Sequence, residues 1–531
     1  MKIKMILVSM LAIAALTGCS KKDEGSGPPE INDTDVAYLS LKIETQNPVA
    51  RSSEESGDPN ESALKTLYLM LFDDAGNIVG IPGTSDYMIE ITDASSKPQS
   101  VKVSAAATKL LVVANPGTKL KAVIQGINVT TTYTTVNAAI KDIARGEIVD
   151  DASPVTRGFT MINGGDETGK DAGDKIDDPL IKIGDKIQKI TETVDEEAAK
   201  AAAEEDKNRV TIRIERLSSK VELKLKGDDN ANIVVSPVGA TFAFGNWTLD
   251  AVNGSFYPFA EKTLLSVTHT AGGSYTNTFY TRDPNFTDDV GIVKATINNT
   301  TFDPILVSPY TWKAAKATTY STENTMAAAE QRFKNTTRVV VKGTYYPKGY
   351  ASDTDWFNFA GENYDGLIKL QAAYNDVNAG PNFKAACEKM FDKIKEYAQK
   401  NSGVSLIGTT FATLKESDLL QVKNGGEVIK DGRNPVIRWY QKGLCYYYYE
   451  IRHDNVTTKE MDFGKYGVVR NNWYKLTLAT VNGPGTPWYP SIDNPGPGDP
   501  DPEDPIDKSV GYLGIIVEVD PWIVWENEIG I

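Results

Sequence analysis

Most of the chain consists of short apolar runs separated by turn residues, a pattern typical of β-strands. The first regular alternation lies at 37–44, where three apolar residues stand between polar neighbours: Leu39, Leu41 and Ile43. Because successive side chains of a strand point to opposite faces, this spacing predicts a strand with one buried face. The chain as a whole is therefore expected to have a mainly β fold.

Two β-rich regions follow this first strand. Alternating runs in the first region end at the Gly-Asp-Asp-Asn turn at 227–230, so we expect a first β-sandwich over 52–228. The region 229–493 continues with longer strand-like runs and is expected to form a second sandwich. Apolar residues at spacings of three or four predict an inserted helix at 383–399. The Ala/Glu-rich stretch 194–207 predicts a solvated helix.

The end of the chain combines a spacer with a strand. Residues 494–510 are rich in Pro, Asp and Gly and predict an extended, semi-rigid spacer. Residues 511–531 then alternate strongly, with Pro521 as an interruption. Six apolar residues share one parity: Leu513, Ile515, Val517, Val519, Ile523 and Trp525. A strand this apolar must fold back or bind a partner, because an exposed one would promote aggregation.

The N-terminus has the features of an export signal. Two lysines precede an apolar run at 5–16, which is too short to span a membrane as a helix. Leu16-Thr17-Gly18-Cys19 resembles the bacterial lipobox, in which the signal peptide, here 1–18, is removed and the cysteine is lipidated. Acyl chains on Cys19 would anchor the precursor in a membrane, since each buried methylene contributes about 0.8 kcal/mol. The alternative is an ordinary signal peptide that is followed by a chance cysteine.

The link between the first strand and the first sandwich is polar and contains Arg51. This residue is the first arginine of the chain, in a stretch at 46–61 that is rich in Ser, Glu, Gly and Pro. Exposed loops of this composition are where proteases cut. An ordinary loop between two strands has the same composition, so these residues alone leave both interpretations open.

Composition and charge narrow the classes of function. The 531 residues include 71 acidic and 56 basic ones, so a formal net charge of −15 opposes binding to nucleic acid. The 2 histidines and 3 cysteines supply little material for a metal site. The sequence has no Gly-rich phosphate loop, nucleophile elbow or His-Glu-x-x-His motif. We therefore expect a protein that is not an enzyme and that uses no cofactor, metal or nucleic acid.

Cys387 and Cys445 remain once Cys19 is assigned to the lipid. In an oxidising environment they could form a disulfide between the inserted helix and the Tyr-rich strand at 446–449. Two buried free thiols are an equal alternative, because the sequence does not supply the Cα–Cα distance.

Four segments carry a resemblance to a known family: Glu215–Val221, Pro435–Tyr440, Gly443–Tyr447 and Tyr466–Leu476. They resemble the fimbrilins of type V pili of Bacteroidia, and within these the major (shaft) subunits of short fimbriae. The lipobox, Arg51 and the terminal strand follow in the order of that family, so the resemblance covers nearly the whole chain.

The resemblance implies two transthyretin-like β-sandwich domains with a few inserted helices, and a structural role in a surface fimbria that supports adhesion. It implies an outer-membrane lipoprotein precursor, cut between Arg51 and Ser52 by an arginine-specific protease. The cut would release the lipidated pro-segment 19–51 with the strand of Leu39, Leu41 and Ile43. The C-terminal strand at 511–531 of a neighbouring subunit would then fill the vacated groove by strand addition.

Two other classes of function compete with this one. A monomeric surface lipoprotein that binds a glycan or a host protein is the main alternative, and a secreted hydrolase is a third. A monomeric binder has no need of an apolar terminal strand on a spacer, so this feature favours the fimbrial subunit.

Overall fold

The structure is a computed structural model. It describes residues 36–45, 59–92, 94, 97–141, 145–148, 157–163, 180–227, 233–235, 239–259, 261–271, 274–287, 292–293, 296–298, 305–307, 311–401, 406, 408–508 and 513–521. These ranges contain many strands and a few helices, which confirms the predicted mainly β fold class. Within them, no helix is both long enough and apolar enough to cross a membrane.

The first half of the chain contributes short strands and helices. Its strands are β1 (Val36–Leu39), β2 (Leu41–Thr45), β3 (Thr66–Phe72), β4 (Met88–Thr92), β5 (Val101–Ser104), β6 (Lys109–Ala114), β7 (Ile140–Lys141), β8 (Met161–Asn163), β9 (Ile181–Lys182), β10 (Gln188–Lys189) and β11 (Val210–Arg216). Its α-helices are α1 (Thr118–Gln125), α2 (Tyr133–Val136), α3 (Arg145–Ile148) and α4 (Glu196–Glu204).

The second half contains longer strands and a helical insertion. Its strands are β12 (Ser218–Leu225), β13 (Ile233–Val235), β14 (Ala240–Asp250), β15 (Val252–Asn253), β16 (Ser255–Phe256), β17 (Glu261–Ala271), β18 (Ser274–Arg282), β19 (Ile292–Val293), β20 (Thr296–Asn298), β21 (Ile305–Val307), β22 (Thr318–Thr322), β23 (Arg338–Tyr346), β24 (Trp356–Phe359), β25 (Glu362–Asp365), β26 (Arg438–Tyr440), β27 (Leu444–Glu450), β28 (Asn472–Val481) and β29 (Leu513–Pro521). Its α-helices are α5 (Gly366–Asn375), α6 (Pro381–Lys400), α7 (Glu416–Leu419) and α8 (Gly425–Ile429).

All first-half strands except β7, which pairs with β16, form two sheets around one core. The larger sheet has the order β2-β11-β8-β6-β3-β4, with β9 also paired to β6, and the smaller has the order β10-β1-β5. The chain enters the small sheet through β1 and passes into the large sheet through β2. The side chains between these sheets include Leu69, Val112 and Ile212, all of which are buried. The segment 36–45 therefore links both sheets of this half.

The second-half sheets enclose a separate core. One sheet has the order β22-β12-β28-β29 and another the order β13-β14-β23-β27. Trp247, Val341 and Leu476 lie buried between them. The insertion adds the sheet β25-β24-β26 with α5 to α8 around its own apolar cluster. Helix α6 confirms the predicted helix, and its stripe is buried: Phe383, Cys387, Met390, Ile394 and Tyr397.

The change from the first set of sheets to the second comes at Leu217. Strand β11 pairs with β2 and β8, whereas β12 pairs with β22 and β28 of the second half. We expected both strands inside the sandwich 52–228, and this placement is wrong for β12. Alternation predicts that a segment is a strand, but it does not identify the partner strand. The domain limits themselves stay a prediction.

The Pro/Asp-rich stretch is bound to the second half along its length. We name residues 494–508 the terminal strap. Phe333 and Lys334 donate backbone hydrogen bonds to it, to the carbonyls of Asp504 and Pro502. Arg332 and Lys334 both pair with Glu503, at 2.6 Å each. The predicted spacer is thus held against the second half in this monomer, because its acidic side chains and backbone carbonyls find basic and N–H partners.

Candidate functional site

The candidate site is the segment 36–45, which we name the exchange segment. Strand β1 is antiparallel to both β5 and β10, and β2 is parallel to β11. Leu39, Leu41 and Ile43 are 0%, 1% and 2% exposed and pack in the first-half core. The predicted strand at 37–44 and its buried face are confirmed, with an interruption of the pairing at Ser40.

Burial of the exchange segment stabilises the fold through several apolar side chains of the core. A fully buried Val, Leu or Ile contributes roughly 1.5–3 kcal/mol relative to an exposed one. Removing the segment would leave Val103, Val112 and Ile212 facing an open groove, together with unpaired N–H and C=O groups on β5 and β11. Such a groove binds another strand readily, because its backbone groups and its apolar floor both lack partners.

Arg209 holds the exchange segment at its interruption. Its guanidinium Nη1 donates to Ser40 Oγ at 2.6 Å and to the Leu41 carbonyl at 3.2 Å. The same nitrogen lies 3.3 Å from the Pro98 carbonyl, which it also contacts as a donor. Arg209 directly precedes β11, so the residue is fixed where the path crosses from one sheet to the other. No pattern in the sequence distinguishes Arg209 from the other arginines.

Helix α4 covers the outer face of β1. Ala199 and Ala203 on its underside pack against Val36 and Tyr38, and all four side chains are buried. Asp195 caps the helix by accepting a hydrogen bond from the Ala198 N–H. The predicted helix is confirmed, but it is solvated on only one face. Two alanines on one side of a helix allow another element to approach closely, but they do not predict that one does.

Tyr38 also makes polar contacts with α4. Its hydroxyl donates to Glu196 Oε1 at 2.6 Å, and Lys200 Nζ lies 5.1 Å from the centre of its ring. Burial and the bond to Glu196 raise the pKa of Tyr38. Hydrogen bonds from Lys200 and Tyr38 lower the pKa of Glu196. The outer face of β1 therefore meets an apolar surface with a polar rim.

Glu61 fixes the chain after the link that contains Arg51. Its carboxylate accepts hydrogen bonds from Lys220 Nζ and the Tyr320 hydroxyl, both at 2.7 Å. Arg216 Nε donates to the Glu61 carbonyl at 2.8 Å. These partners lie on β11, β12 and β22, where the two halves meet. Nothing in the sequence distinguishes this acid from the other acidic residues of 46–61.

The C-terminal strand β29 pairs antiparallel with β28 of its own second-half sheet. Leu513 is buried, and Ile515 and Val517 pack half-buried against the second-half core. Ile516, of the opposite parity, is 49% exposed. The predicted alternation is thus present in β29. In this monomer the strand folds back, which was one of the two outcomes expected of so apolar a segment.

Several predicted site residues lie outside the described residues. They are Cys19, Arg51, Ser52, Ile523 and Trp525. The described part of the link ends at Thr45 and resumes at Pro59. The roles of these residues, and of Val519 as a core-facing residue, stay predictions.

Cys387 and Cys445 are free thiols in this structure. Cys387 lies in the apolar cluster of the insertion, and Cys445 lies in the second-half core. Burial raises the pKa of each thiol to about 12, so both are protonated and unreactive at neutral pH. The disulfide is not formed, and the alternative of two buried thiols holds.

The described residues contain no group of three or more His, Cys, Asp or Glu side chains that could hold a metal ion. Their distinctive features are the buried segment 36–45, which contributes one strand to each first-half sheet, and the apolar strand β29. A protein with these features is suited to assembly through its strands.

Two family models match the chain. Residues 37–216 match the model described as "Major fimbrial subunit protein (FimA)", and residues 438–528 match "Major fimbrial subunit protein type IV, Fimbrillin, C-terminal". The two matches together cover just over half of the chain. The molecule is thus a fimbrial protein. It belongs to the FimA-type major fimbrial subunits of type V fimbriae.

Several solved structures are similar to the chain. A cell adhesion protein from Parabacteroides distasonis has 14% sequence identity and a TM-score of 0.39. The match covers 92% of this chain and 99% of that protein's chain. The tip fimbrial protein Mfa3 from Porphyromonas gingivalis has 10% identity and a TM-score of 0.34, with 92% and 100% covered. A search of curated proteins gives no significant match.

Membership of this family settles the class of function. The chain is a structural subunit of a surface fimbria and not an enzyme. The predicted fimbrial partners and surface location are confirmed at this level. The family models name the FimA type and do not separate it from the short-fimbria shaft subunits that the sequence motifs resemble.

Proposed function

We propose that the chain is a fimbrial subunit that is exported as a lipoprotein, cleaved after Arg51 and polymerised by strand exchange. In this scheme Cys19 carries the lipid and holds the precursor in the outer membrane. An arginine-specific protease releases residues up to Arg51, and the mature subunit begins at Ser52. The resulting fimbria supports adhesion.

One observation carries this proposal. The exchange segment contributes core side chains of the first half and pairs on both edges of β1, yet it precedes the polar link that contains Arg51. Glu61 holds the chain directly after that link, so the body of the subunit stays attached when the link is cut. A cut at Arg51 would therefore free the exchange segment and leave β3 and the following strands in place.

The C-terminal strand supports the second half of the proposal. Core-facing residues of the exchange segment and of β29 alternate in the same way, as substitution into one groove demands. Ile515 and Val517 are only half-buried on β29, whereas Leu41 and Ile43 are fully buried in the groove. A segment that moves from the first position to the second gains buried apolar area, which favours exchange.

The proposal is tested by triggered assembly of the purified full chain with Cys19→Ala to keep it soluble. Treatment with an arginine-specific protease should yield mature chains that begin at Ser52 and polymers visible by negative-stain microscopy. The Arg51→Ala variant should remain monomeric, and a deletion of 511–531 should be cleaved but not polymerise. Normal polymers from the deletion would overturn strand exchange. An N-terminus at Ser20 in assembled material would overturn the cleavage site.

The lipid is tested separately in cells. Metabolic labelling with palmitate should mark the wild-type precursor and not the Cys19→Ala variant, which should also leave the membrane fraction. A Ser20→Ala variant serves as the matched control and should be labelled like the wild type. Equal labelling of the Cys19→Ala variant would exclude this cysteine as the site.

A further inference from the structure

The exchange segment has two parts that differ on the outer face. In β1 the outer residues Val36 and Tyr38 are buried beneath α4, so this part is apolar on both faces. In β2 the outer residue Lys42 is polar and half-buried, so this part is apolar on one face only. Ser40 lies between the parts and is bound by Arg209. Along the chain, a part with two apolar faces comes first, Ser40 follows, and a part with one apolar face comes last.

The C-terminal segment contains the same three parts in the reverse order. Residues 513–519 alternate, and Glu518 near their end has the parity of the outer face. This part therefore has mainly one apolar face. Asp520 and Pro521 interrupt the alternation. The next four residues, 522–525, read Trp-Ile-Val-Trp and are apolar at both parities.

We propose that the C-terminal segment of the neighbouring subunit enters the groove in the direction opposite to that of the exchange segment, with Asp520 against Arg209 and Trp522 and Val524 beneath α4. This inference rests on the proposed strand exchange and adds its direction and register. The partner is a second copy of this chain, and its incoming strand is antiparallel to β11, where β2 is parallel.

The register follows from placing Asp520 at the position of Ser40. Trp522 then takes the place of Tyr38, and Val524 takes the place of Val36. On the core side, Val519 and Val517 replace two further residues, Leu41 and Ile43. Every replaced residue keeps its face, because the parity of the incoming strand is preserved. Pro521 takes the place of Leu39, the last paired residue of β1 before the interruption at Ser40.

The chemistry at two positions supports this register. Arg209 donates to a neutral hydroxyl in the precursor, and a carboxylate in that place gives a stronger, charge-assisted bond. Glu196 accepts a hydrogen bond from the Tyr38 hydroxyl. The indole N–H of Trp522, also a donor carried on an aromatic ring, would replace that hydroxyl. Val524 is identical in type to the Val36 that it replaces.

Insertion in the same direction as the exchange segment fits less well. With parity kept and Glu518 opposite Arg209, Gly514 and Ile516 would take the places of Val36 and Tyr38. Trp522 and Ile523 would then take the places of Glu44 and Thr45, and Val524 and Trp525 would lie beyond the end of β2. The apolar group 522–525 would thus miss the positions of Val36 and Tyr38, which α4 covers.

Charge exchange distinguishes the register with Asp520 against Arg209 from the register with Glu518 there. In protease-triggered assembly of the full chain, Arg209→Asp should reduce the initial rate of polymer formation by about tenfold or more, since a charged hydrogen bond is lost. Adding Asp520→Arg should restore most of the rate, and the matched control Glu518→Arg should not. Rescue by Glu518→Arg instead would overturn the register with Asp520 against Arg209 while leaving strand exchange intact.

Cross-linking keeps the proposal testable where Arg209 variants fold poorly. In the Cys19→Ala chain, Arg209→Cys combined with Asp520→Cys should give disulfide-linked ladders of subunits after cleavage and oxidation. The combination with Glu518→Cys should give few or none, and Cys387 and Cys445 are buried and add no background. Ladders from the Glu518→Cys pair alone would overturn the register. Polymer formation by a chain that lacks only residues 511–531 would instead overturn the proposed function itself.

Discussion

Glu61 and Lys220 form a buried ion pair at 2.7 Å, with side chains that are 3% and 6% exposed. Glu61 follows the link that contains Arg51, whereas Lys220 lies on β12 in the second set of sheets. The Lys220 ammonium also lies 4.0 Å from the centre of the Trp473 ring. The pair therefore ties the beginning of the proposed mature chain to the junction of the two halves.

Breaking this pair should strongly destabilise the subunit. Glu61→Gln removes the carboxylate that pairs with the buried Lys220 ammonium, and breaking a buried ion pair typically costs about 3–5 kcal/mol of unfolding free energy. The control Glu396→Gln breaks an exposed pair with Lys400 and should cost about 0–1 kcal/mol. Urea denaturation of both variants measures the difference. Equal losses would show that burial of the Glu61 pair does not decide its contribution.

Glu450 should make stability depend on pH. Burial raises the pKa of Glu450 from 4.5 to about 7, and neighbouring Arg338 only partly opposes this. The folded state therefore binds the proton more tightly than the unfolded state, and its contribution is fully present below about pH 4.5 and lost as the pH rises through about 7.

Comparison with a variant isolates this contribution from other titrating groups. Glu450→Gln should flatten the stability profile between pH 5 and pH 8 by up to roughly 3 kcal/mol. Glu460→Gln, on an exposed loop, should leave the profile unchanged. Guanidinium unfolding across this range is the measurement, and a wild-type slope in the Glu450→Gln variant would contradict the assignment.

Asp507 should control how firmly the terminal strap is held. Its carboxylate accepts from Lys465 and from the Tyr466 hydroxyl, and these bonds outweigh burial and lower the pKa of Asp507. In Asp507→Asn the charged pair is lost, so the strap should open more often. Limited proteolysis with a glutamate-specific enzyme should then cut faster after Glu503. Asp462→Asn, which affects an exposed pair with Lys459, is the control and should not change this rate.

The two faces of β29 should differ in assembly. Val517→Asp places a carboxylate on the face that packs in the core, where it would lack a partner, and should abolish polymer formation. Ile516→Asp changes the neighbouring exposed residue and should leave assembly near normal. Negative-stain microscopy after cleavage reads out both variants. Equal loss from both would indicate a strand buried on two sides along this stretch.

Much of the β architecture could be predicted from residue patterns. Leu39, Leu41 and Ile43 face the core because alternation directly reports which face of a strand is apolar. The apolar stripe of α6 is buried for the corresponding reason at helical spacing. Both are local signals, carried by residues close together in the sequence.

Features that depend on distant partners could not be predicted. The partner strands of β12 lie about a hundred and about two hundred and fifty residues further along the chain, so its alternation identifies a strand but not its sheet. The strap is polar and Pro-rich, and its contacts with Arg332 and Lys465 depend on how the whole second half folds. Likewise, Arg209 belongs to the candidate site only because the fold brings the distant Ser40 within hydrogen-bond distance.

The direct passage from β11 to β12 through Leu217 has a mechanical consequence for a fibre. A strand bound along β11 would pass a pulling force through one residue of covalent chain into β12, and from there into β28 through their parallel hydrogen bonds. Strands loaded along their length resist together, because all hydrogen bonds between them must yield at once. The short connection would therefore let tension bypass the antiparallel pair β17–β18 and the helical insertion, which could deform without lengthening the filament.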